Sequence, residues 1–474
     1  MTHWFILMIL GVMLSCHQER VVATIGLDVA KSVEDAEMTG EDATDNTDAG
    51  SADALPGDID ELDAGRVTDA GTDYCEGSGP PIFVGDTTEV CSNQLAVTTF
   101  RYALCLCDGH TASASVSVDA FDSTQGLFSG PELGGSIGVN GRIQSNAGYS
   151  ATGSLWVSSS GGITSNLPMS ILADLNNQGP MSGQSDLTVG NNAKIGGPVE
   201  LRDLVVGSTL TVPQSENVNV TGNFSYQSFR REPVQVEPPC DCEPEQLVDI
   251  AGYVQYHADN NDNDMAGISK DALDGFTETT TISIDCGRIH FSRIFGNGPL
   301  HINVSGRAAI FVSGEVNLPD GFSIALGPDA ELDLFIEGHL VSSKRVVVGN
   351  PAYPSSTRIY LGGKGSFQLS SNSVISANVY APEAELVTSG ILEVFGSLFL
   401  RRLNTSSPVN IHYDKGVLNK GKSCPDNGNT NECESCRDCL NQACIAGQCG
   451  NCRNNDDCCS PLFCQQGTCV PFSL

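Results

Sequence analysis

Residues 187–224 read LTVGNNAKIGGPVELRDLVVGSTLTVPQSENVNVTGNF, and apolar residues two positions apart recur along the whole stretch. The pairs are Leu187/Val189, Ala193/Ile195, Val199/Leu201, Leu204/Val206, Leu210/Val212 and Val218/Val220. Because successive side chains of a strand point to opposite faces, each pair buries one face of a very short strand. The glycine and asparagine residues between the pairs turn the chain. Repetition of this unit predicts a β-solenoid, in which every turn packs on its neighbours.

The C-terminal half repeats a longer unit. The segments Phe311-Val312-Ser313-Gly314, Phe335-Ile336-Glu337-Gly338 and Tyr360-Leu361-Gly362-Gly363 share one pattern, and their last glycines are 24 and 25 residues apart. We expect Val379-Tyr380-Ala381-Pro382 and Val394-Phe395-Gly396-Ser397 to continue it. Periods of this length are typical of repeat architectures, and glycine suits corners where a Cβ would clash. The predicted fold class is all-β, a β-helix with a short helical insertion and a small disulfide-rich C-terminal module.

A segment without the repeat, residues 240–285, separates the two repetitive halves. Leu247, Ile250 and Val254 recur at helical spacing after Pro244, which predicts an amphipathic helix over residues 245–256 lying on the solenoid. The cysteines that bracket the segment are Cys240, Cys242 and Cys286. A disulfide among them would pin the base of the insertion to the first following turn.

The overall charge excludes one class of partner. The chain has 24 basic and 57 acidic residues, a net charge of −33. Such a chain repels the phosphates of nucleic acids. We therefore expect no nucleic-acid partner.

The N-terminus has the features of an export signal. An apolar run from Trp4 to Leu14 is too short to span a bilayer but suits the central region of a signal peptide. Met13-Leu14-Ser15-Cys16 resembles a bacterial lipobox, which implies cleavage before Cys16 and acylation of that cysteine. His17 after the cysteine resembles the sorting pattern of outer-membrane lipoproteins. The alternative is ordinary secretion, with Cys16 lost in the discarded peptide.

An acidic segment follows. Residues 17–74 contain 16 acidic and three basic residues and few large apolar groups, which predicts a disordered tether. It resembles the Asp-Ala-Gly-rich tethers of surface lipoproteins in myxobacteria. The expected organisation is a signal peptide (1–15), the tether (16–74), an N-terminal solenoid part (75–239), the helical insertion (240–285), a C-terminal β-helix part (286–414), a linker (415–423) and tandem cysteine-rich modules (424–474).

The cysteines indicate an oxidising compartment. Without Cys16, eighteen of the 19 cysteines remain, seven before residue 287 and 11 after residue 423. Because both groups are odd in number, complete pairing needs at least one disulfide between them. The expected disulfide cysteines, whose pairing the sequence leaves open, are Cys75, Cys91, Cys105, Cys107, Cys240, Cys242, Cys286, Cys424, Cys433, Cys436, Cys439, Cys444, Cys449, Cys452, Cys458, Cys459, Cys464 and Cys469.

The tail contains two copies of one small unit. Cys439-LNQA-Cys444-IAGQ-Cys449 parallels Cys459-SPLF-Cys464-QQGT-Cys469. Each copy has too small a core to fold without cross-links. Disulfides are the expected cross-links, and zinc held at the CxxC spacings is the alternative. The second copy looks like the disulfide-knot modules of small secreted binding and inhibitory peptides.

Two sets of polar residues are candidate sites. His412 and Asp414 lie two apart in VNIHYD, where an acid–base pair competes with a simpler interpretation, the closing strand of the repeat. We favour the closing strand because no nucleophile motif accompanies the pair. Asp259, Asp262 and Asp264 offer oxygen ligands for a structural calcium, but they do not fit the EF-hand spacing. An asparagine- and aspartate-rich loop is the alternative. No catalytic residue and no other cofactor is expected.

A family resemblance spans about 170 residues. Its segments are NDNDMAGI, IDCGRIHFSRI, VSGRAAIFVSGEV, ELDLFIEGHL, STRIYLGG, NVYAPEAEL, GILEVFGSLFLRRL and IHYD, in this order. This block resembles a domain of unknown function in bacterial cell-surface and pilus-associated proteins. The resemblance implies a right-handed β-helix without established activity, similar in style to the polymer-forming bactofilins.

Together these features predict a non-enzymatic surface lipoprotein on the outer membrane, with the periplasm or secretion as alternative locations. A β-helical scaffold would present a disulfide-rich binding tip to an unknown extracellular protein or glycan. The runner-up is a polysaccharide lyase or hydrolase, which would need Glu331, Asp333, Glu337 and Arg345 to converge in a groove. A third interpretation is self-assembly through solenoid ends, which we expect the insertion and the tail to block.

Overall fold

The structure is a computed structural model that describes residues 75, 82–85, 90–423, 433, 436–439 and 442–471. All of these described residues belong to one compact unit within residues 67–474. In the described part of the chain, no helix has the length and apolar character needed to cross a membrane.

Short β-strands dominate. Residues 82–230, the N-terminal half, contain β1 (Phe83–Val84), β2 (Val90–Cys91), β3 (Leu104–Leu106), β4 (His110–Ala112), β5 (Val116–Phe121), β6 (Ile137–Val139), β7 (Ile143–Ser145), β8 (Tyr149–Ala151), β9 (Leu155–Val157), β10 (Ile163–Ser165), β11 (Met169–Ile171), β12 (Leu175–Asn177), β13 (Met181–Ser182), β14 (Asp186–Val189), β15 (Ala193–Ile195), β16 (Val199–Leu201), β17 (Asp203–Val206), β18 (Thr209–Thr211), β19 (Val218–Val220), β20 (Phe224–Ser225) and β21 (Ser228–Arg230). Residues 274–414, the C-terminal half, contain β22 (Asp274–Phe276), β23 (Thr280–Ile284), β24 (Gly287–Phe291), β25 (Ile294–Gly296), β26 (Leu300–Val304), β27 (Arg307–Val312), β28 (Val316–Asn317), β29 (Phe322–Leu326), β30 (Glu331–Ile336), β31 (Leu340–Ser342), β32 (Val346–Gly349), β33 (Thr357–Leu361), β34 (Gly365–Leu369), β35 (Ser373–Ser376), β36 (Asn378–Thr388), β37 (Leu392–Phe395), β38 (Leu398–Thr405) and β39 (Val409–Asp414).

The remaining elements are short. The tail contains β40 (Ala443–Ile445), β41 (Gln448–Gly450), β42 (Phe463–Gln465) and β43 (Thr468–Val470). The α-helices are α1 (Ser92–Thr99), α2 (Ile250–Asp259) and α3 (Asn263–Ala266), and the 3-10 helices are Pro244–Gln246, Pro354–Ser356, Lys415–Ser423, Cys436–Cys439 and Asn455–Asp457. Residues 415–423, expected as a linker, are thus a 3-10 helix.

Strands of the two halves stack in parallel into a three-faced β-solenoid of about 14 turns, which confirms the predicted fold class. Face 1 contains β3, β6, β9, β12, β15, β18 and β21 together with β24, β27, β30, β33 and the first parts of β36 and β38. Face 2 contains β4 and β22 with the strands stacked on them. Face 3 is one sheet of thirteen parallel strands. At a strand spacing of ~4.8 Å, the column is roughly 65 Å long.

The sequence periodicity predicted the strands well. All of the apolar pairs in residues 187–224 except Val218/Val220 are buried, and Phe311, Phe335 and Tyr360 occupy equivalent positions on successive turns of face 1. Glycine is required at the corner after these strands, since a Cβ on Gly363 would lie 2.3 Å from the Gly338 carbonyl oxygen. The expectation for Val394-Phe395 was wrong: these residues lie on face 3, and Phe399 occupies the equivalent position on face 1.

The turns do not follow one another in chain order. The first solenoid strands of the N-terminal half, which follow the separate β1–β2 pair, stack on the last strands of the C-terminal half, β3 on β38 and β5 on β39. In the second of these pairs, which we call the joint, all six residues from Val409 to Asp414 are in register with residues 116–121. VNIHYD is therefore not a closing strand. It is the seventh of the thirteen strands on face 3 and lies at the middle of the column.

One segment returns along face 1 from the end of the N-terminal half to the start of the C-terminal half. We call residues 231–273 the strap. Its amide at Val236 donates to Gln178 (2.8 Å), its amide at Cys240 donates to Asn140 (3.0 Å) and its amide at Val248 donates to the Tyr380 hydroxyl (3.1 Å). The strap thus spans both halves.

Within the strap, helix α2 begins at Ile250 rather than at residue 245. Asp249 accepts a hydrogen bond from the amide of Gly252 and caps the helix at this later point. Ile250 and Val254 are buried against the solenoid, whereas Leu247 precedes the helix and is half-buried. The amphipathic helix lying on the solenoid is therefore present, but its expected start was wrong.

Aromatic rings fill the space between the strap and face 1. Phe335 stacks on Phe311 with ring centroids 5.2 Å apart and on Tyr360 at 4.6 Å, with nearly parallel planes. His257 of α2 stacks on the Phe311 end of this row with ring centroids 4.0 Å apart, and both side chains are buried. One turn of the row has no side chain: a Cβ at Gly138 would lie 2.9 Å from Pro239 of the strap. The outward residues of face 1 therefore fit the strap that covers them.

Disulfides fasten this cover. Cys240 pairs with Cys105 in β3, Cys242 pairs with Cys107 directly after β3, and Cys286 pairs with Cys75. The expected bridge within Cys240, Cys242 and Cys286 was therefore wrong. Cys91 is also disulfide-bonded. Cys16 and Cys424 lie outside the described residues.

The tail confirms a tandem repeat. Cys433–Cys444 and Cys439–Cys449 form the first copy, Cys452–Cys464 and Cys458–Cys469 form the second, and Cys436–Cys459 links the copies. The counterpart of Cys439 in this pairing is Cys458, not Cys459. Each copy ends in a two-residue hairpin turn with positive φ at both positions, Ala446-Gly447 and Gln466-Gly467.

We expect the two strap disulfides to be strongly non-additive. While either Cys105–Cys240 or Cys107–Cys242 remains, the long loop stays closed, so the paired-serine variant lacking one bridge should lose about 2 kcal/mol of unfolding free energy. Removing both reopens a loop with a sequence separation of 135 residues, and the chain-entropy model gives a total loss of about 7 kcal/mol. Urea unfolding of the two double variants and the quadruple variant measures the coupling. Losses that simply add would contradict the nested arrangement.

Candidate functional site

A cleft of about 460 Å³ lies between face 1, the strap and the cysteine-rich module. Its floor is a row of outward side chains on successive turns: Trp156 on β9, Asn176 on β12 and Lys194 on β15, aligned by the strand register. Because the ladder spacing is ~4.8 Å, these side chains form a regular row. This row continues, further along the column, the outward aromatic row of face 1 that the strap covers.

The walls of the cleft come from three parts of the chain. They include Thr98, Thr99, Arg101 and Tyr102 at the end of α1, residues 235–239 and Asp241 of the strap, and Asn455, Asp456, Cys458, Cys459 and Ser460 of the module. We call this site the module cleft.

One aromatic pair gives the module cleft a rigid side. The rings of Trp156 and Tyr102 meet edge to face with centroids 5.9 Å apart. Trp156 is half-buried, so part of its indole is available to a ligand. Around it, Lys194, Glu237 and Asp456 are exposed and carry both signs of charge. This arrangement suits a ligand with one apolar ring face and several hydrogen-bonding groups.

His412 lies in a separate ionisable cluster at the joint. Its Nδ1 is 2.8 Å from Asp119 of β5, and its Nε2 is 2.6 Å from Glu393 of β37. The Phe128 ring lies over the imidazole at a centroid distance of 4.2 Å. Burial alone would lower the pKa of His412, but the hydrogen bonds and charges of Asp119 and Glu393 outweigh it and raise the pKa to about 9. The imidazole is therefore a cation at neutral pH that holds three strands together.

Asp414 has a different set of partners. Its carboxylate is fully buried and accepts hydrogen bonds from the Ser123 amide and hydroxyl, the Ser355 amide and the Gly416 amide, all at 2.8–3.0 Å. No hydrogen bond joins Asp414 to His412, so the structure does not assemble the acid–base pair. Each side chain links separate segments of the chain.

The residues considered for polysaccharide chemistry come together only in part. Glu331 and Asp333 of β30 lie near Arg358, which holds Asp333 through two bonds of 2.6 and 2.8 Å. Burial would raise the pKa of Glu331, but Arg358 and Lys420 reverse this and lower it to about 2. Glu337 lies in the corner directly after β30, and Arg345 is exposed on the turn before β32. Neither is in the cluster of Arg358.

The aspartates considered for calcium are also separated. Asp259 and Asp264 are exposed, whereas Asp262 is buried and accepts a hydrogen bond from the Arg288 amide at 2.8 Å. Among the described residues, the groups of three or more His, Cys, Asp or Glu ligand atoms lying within 4.8 Å of one another consist of cysteines. Those cysteines are Cys433, Cys439 and Cys449, and Cys452, Cys458 and Cys469, and all are disulfide-bonded. This pairing contradicts the zinc alternative for them.

Some of these interactions left no trace in the sequence. In the sequence, Trp156 stands out only as one of two tryptophans. Asp119 lies hundreds of residues from His412, which it binds, and Glu393, the other partner of His412, lies one turn away. A signal did exist for the aromatic row, because Phe311, Phe335, Tyr360 and Tyr380 occupy one position of the repeat. Such alignment predicts stacking between turns.

Residues 240–419 match the model of a family described as a domain of unknown function (DUF7305). Comparison with curated proteins gives no significant match. Comparison with solved structures gives none either. The matched residues comprise most of the strap and the C-terminal half up to the 3-10 helix Lys415–Ser423, so the N-terminal half and the module cleft's row lie outside the match.

The charge on His412 should make the joint sensitive to alkaline pH. Since its folded pKa is raised from 6.5 to about 9, its contribution is complete below pH 6.5 and is lost as the pH rises through 9. We expect the unfolding free energy to fall by roughly 3 kcal/mol over this window. In His412→Gln this fall should disappear, whereas the exposed His301→Gln should retain it. Urea unfolding at a series of pH values tests this, and equal slopes in wild type and His412→Gln would contradict it.

Proposed function

We propose that the protein is a lipid-anchored scaffold on the outer face of the cell envelope, which presents the module cleft to extracellular ligands. The β-solenoid supports the scaffold part: both halves form one column, and disulfides cross-link the strap to its middle. This continuity is the observation that carries the proposal. Parallel stacking satisfies the backbone of every interior turn and makes a long, stable surface.

The interior ionisable groups support a structural role as well. His412, Asp414, Arg358 and Asp333 are each buried and each bound to residues of other turns or segments. Such pairs hold strands in register. This arrangement is typical of structural contacts and not of catalytic groups that are accessible to a substrate.

We further propose that the module cleft is the ligand site and that a glycan is its ligand. A half-buried indole offers an apolar face to a sugar ring, and the row of Asn176 and Lys194 beside it offers groups that hydrogen-bond to hydroxyls. The disulfide-linked module forms one wall. A protein ligand remains the alternative for the same surface.

The anchor is tested through Cys16, which lies outside the described residues. Cells expressing the wild type and Cys16→Ser are fed labelled fatty acid, and intact cells are then treated with protease. Label that depends on Cys16, together with loss of the C-terminal module from intact cells, is the expected result. Cys91→Ser serves as the control, since it should retain the label. An unlabelled chain in the medium would contradict the anchor and leave the cleft proposal to be tested separately.

The cleft is tested through its tryptophan. Since Trp4 lies in the predicted signal peptide, Trp156 is the single tryptophan of residues 16–474, and its fluorescence reports on the cleft directly. Glycans selected on an array should change this emission, and Asn176→Ala should weaken their binding at least tenfold. Gln144→Ala, on face 2, is the matched control. Binding that is unchanged in Asn176→Ala and in Trp156→Ala would contradict the assignment.

A further inference from the structure

One end of the column is left open in the described part of the chain. Its last strands are β19, β20 and β21, which pair only with β16, β17 and β18 among the described strands. Phe224 continues the inward row of Leu204, yet it is 41% exposed whereas Leu204 is completely buried. Tyr226, beside it at a ring distance of 5.0 Å, is 39% exposed. The core of the column therefore ends in an aromatic surface, which we call the open end.

The opposite end is covered on face 1 by the strap. Asn263 bonds to both backbone groups of His290 in the outer strand β24: its amide nitrogen donates to the carbonyl (2.8 Å) and its oxygen accepts from the amide (2.7 Å). Asp262 does the same for Arg288 through its own amide and carboxylate. These backbone and side-chain groups replace the missing neighbour strand. The expectation that the insertion blocks an end is thus confirmed for this face only.

Unpaired strand edges with apolar residues are an association hazard that folded proteins cover. The charge at the open end favours one occupant. The chain as a whole carries −33, so two copies repel each other over most of their surfaces. Residues 213–232 are an exception, because their two acidic residues, Glu216 and Glu232, balance Arg230 and Arg231. Each copy therefore offers both signs of charge at the open end.

We propose that a second copy of this chain covers the open end, so that two columns join end to end about a two-fold axis. A two-fold interface uses the same patch on both partners, and it places their last strands antiparallel, a pairing that β-edges accept. Phe224 and Tyr226 of each copy pack at the centre, and the arginines of one copy face the glutamates of the other. Since the opposite end is capped on face 1, the contact closes as a dimer and does not propagate into a fibre.

Sedimentation equilibrium of the otherwise full chain with Cys16→Ser, which carries no lipid, tests this inference. We expect twice the monomer mass. Phe224→Lys and Tyr226→Lys should each weaken self-association at least tenfold and yield the monomer mass. Leu172→Lys is the matched control, because Leu172 is 45% exposed but lies on the side of the column. Circular dichroism confirms that each variant is folded, and Tyr226→Lys lies between strands, where the backbone is not disturbed.

Each alternative outcome overturns the inference. A monomeric wild type would mean that another part of this chain, or nothing, covers the end. Dimers that persist in both lysine variants would place the contact elsewhere, and masses beyond the dimer would show propagation. Because the measurement uses the chain without its lipid and without ligand, it stands independently of the anchoring and of the module cleft.

Discussion

The whole architecture depends on the joint, where Val409–Asp414 hydrogen-bonds along its length to Val116–Phe121. Neither half alone can supply hydrogen-bond partners for the backbone groups of this strand edge. Asp119 supplies one carboxylate to His412, and Ser123, just beyond β5, donates to Asp414, so the ionic and polar groups of the joint are completed only when the halves meet. Removing one partner of such a buried pair leaves the other uncompensated, which is more costly than the pair is stabilising.

A column assembled in this order needs a return path, and the strap is that path. It must run back past both halves, which explains why the outward residues of face 1 differ from those of the other faces. Where the strap and its helix lie, the outward residues are Phe311, Phe335 and Tyr360, or a glycine that leaves room for the chain. Where the strap moves aside, the same row continues as Trp156, Asn176 and Lys194. The module cleft is thus the part of the face 1 surface that the strap leaves uncovered.

Much of the column could be predicted from local sequence, because a period of two and regular glycines are enforced by each turn on its neighbours. The chain order of the turns could not. Nothing in the residues around Leu104 or Leu398 indicates that they pair, since any apolar strand of a solenoid fits any other in register. VNIHYD ends the repeat pattern of the sequence and so looks like a closing strand, whereas its partner β5 lies in the N-terminal half. The strap's cysteines were misassigned because spacing along the chain was taken as a guide to distance, whereas Cys105 and Cys240 meet across 135 residues. The polar clusters depend on these long-range pairings, so they could not be predicted from the sequence either.

The joint has a consequence for biosynthesis. A chain emerges from its N-terminus, and the strands of the N-terminal half are available long before the strands on which they stack; Asp108 and Arg402, paired in the native state, are separated by 294 residues. During that interval the edge of β3 has no neighbour. A nascent edge of this kind recruits other chains, and slow long-range pairing prolongs the risk. Cys105 lies at the centre of this edge and Cys107 directly after it, and an oxidant in the compartment can join them to Cys240 and Cys242 before the remaining half has been made. Compartments that delay oxidation until the chain is complete would then yield less native protein than those that oxidise it as it arrives.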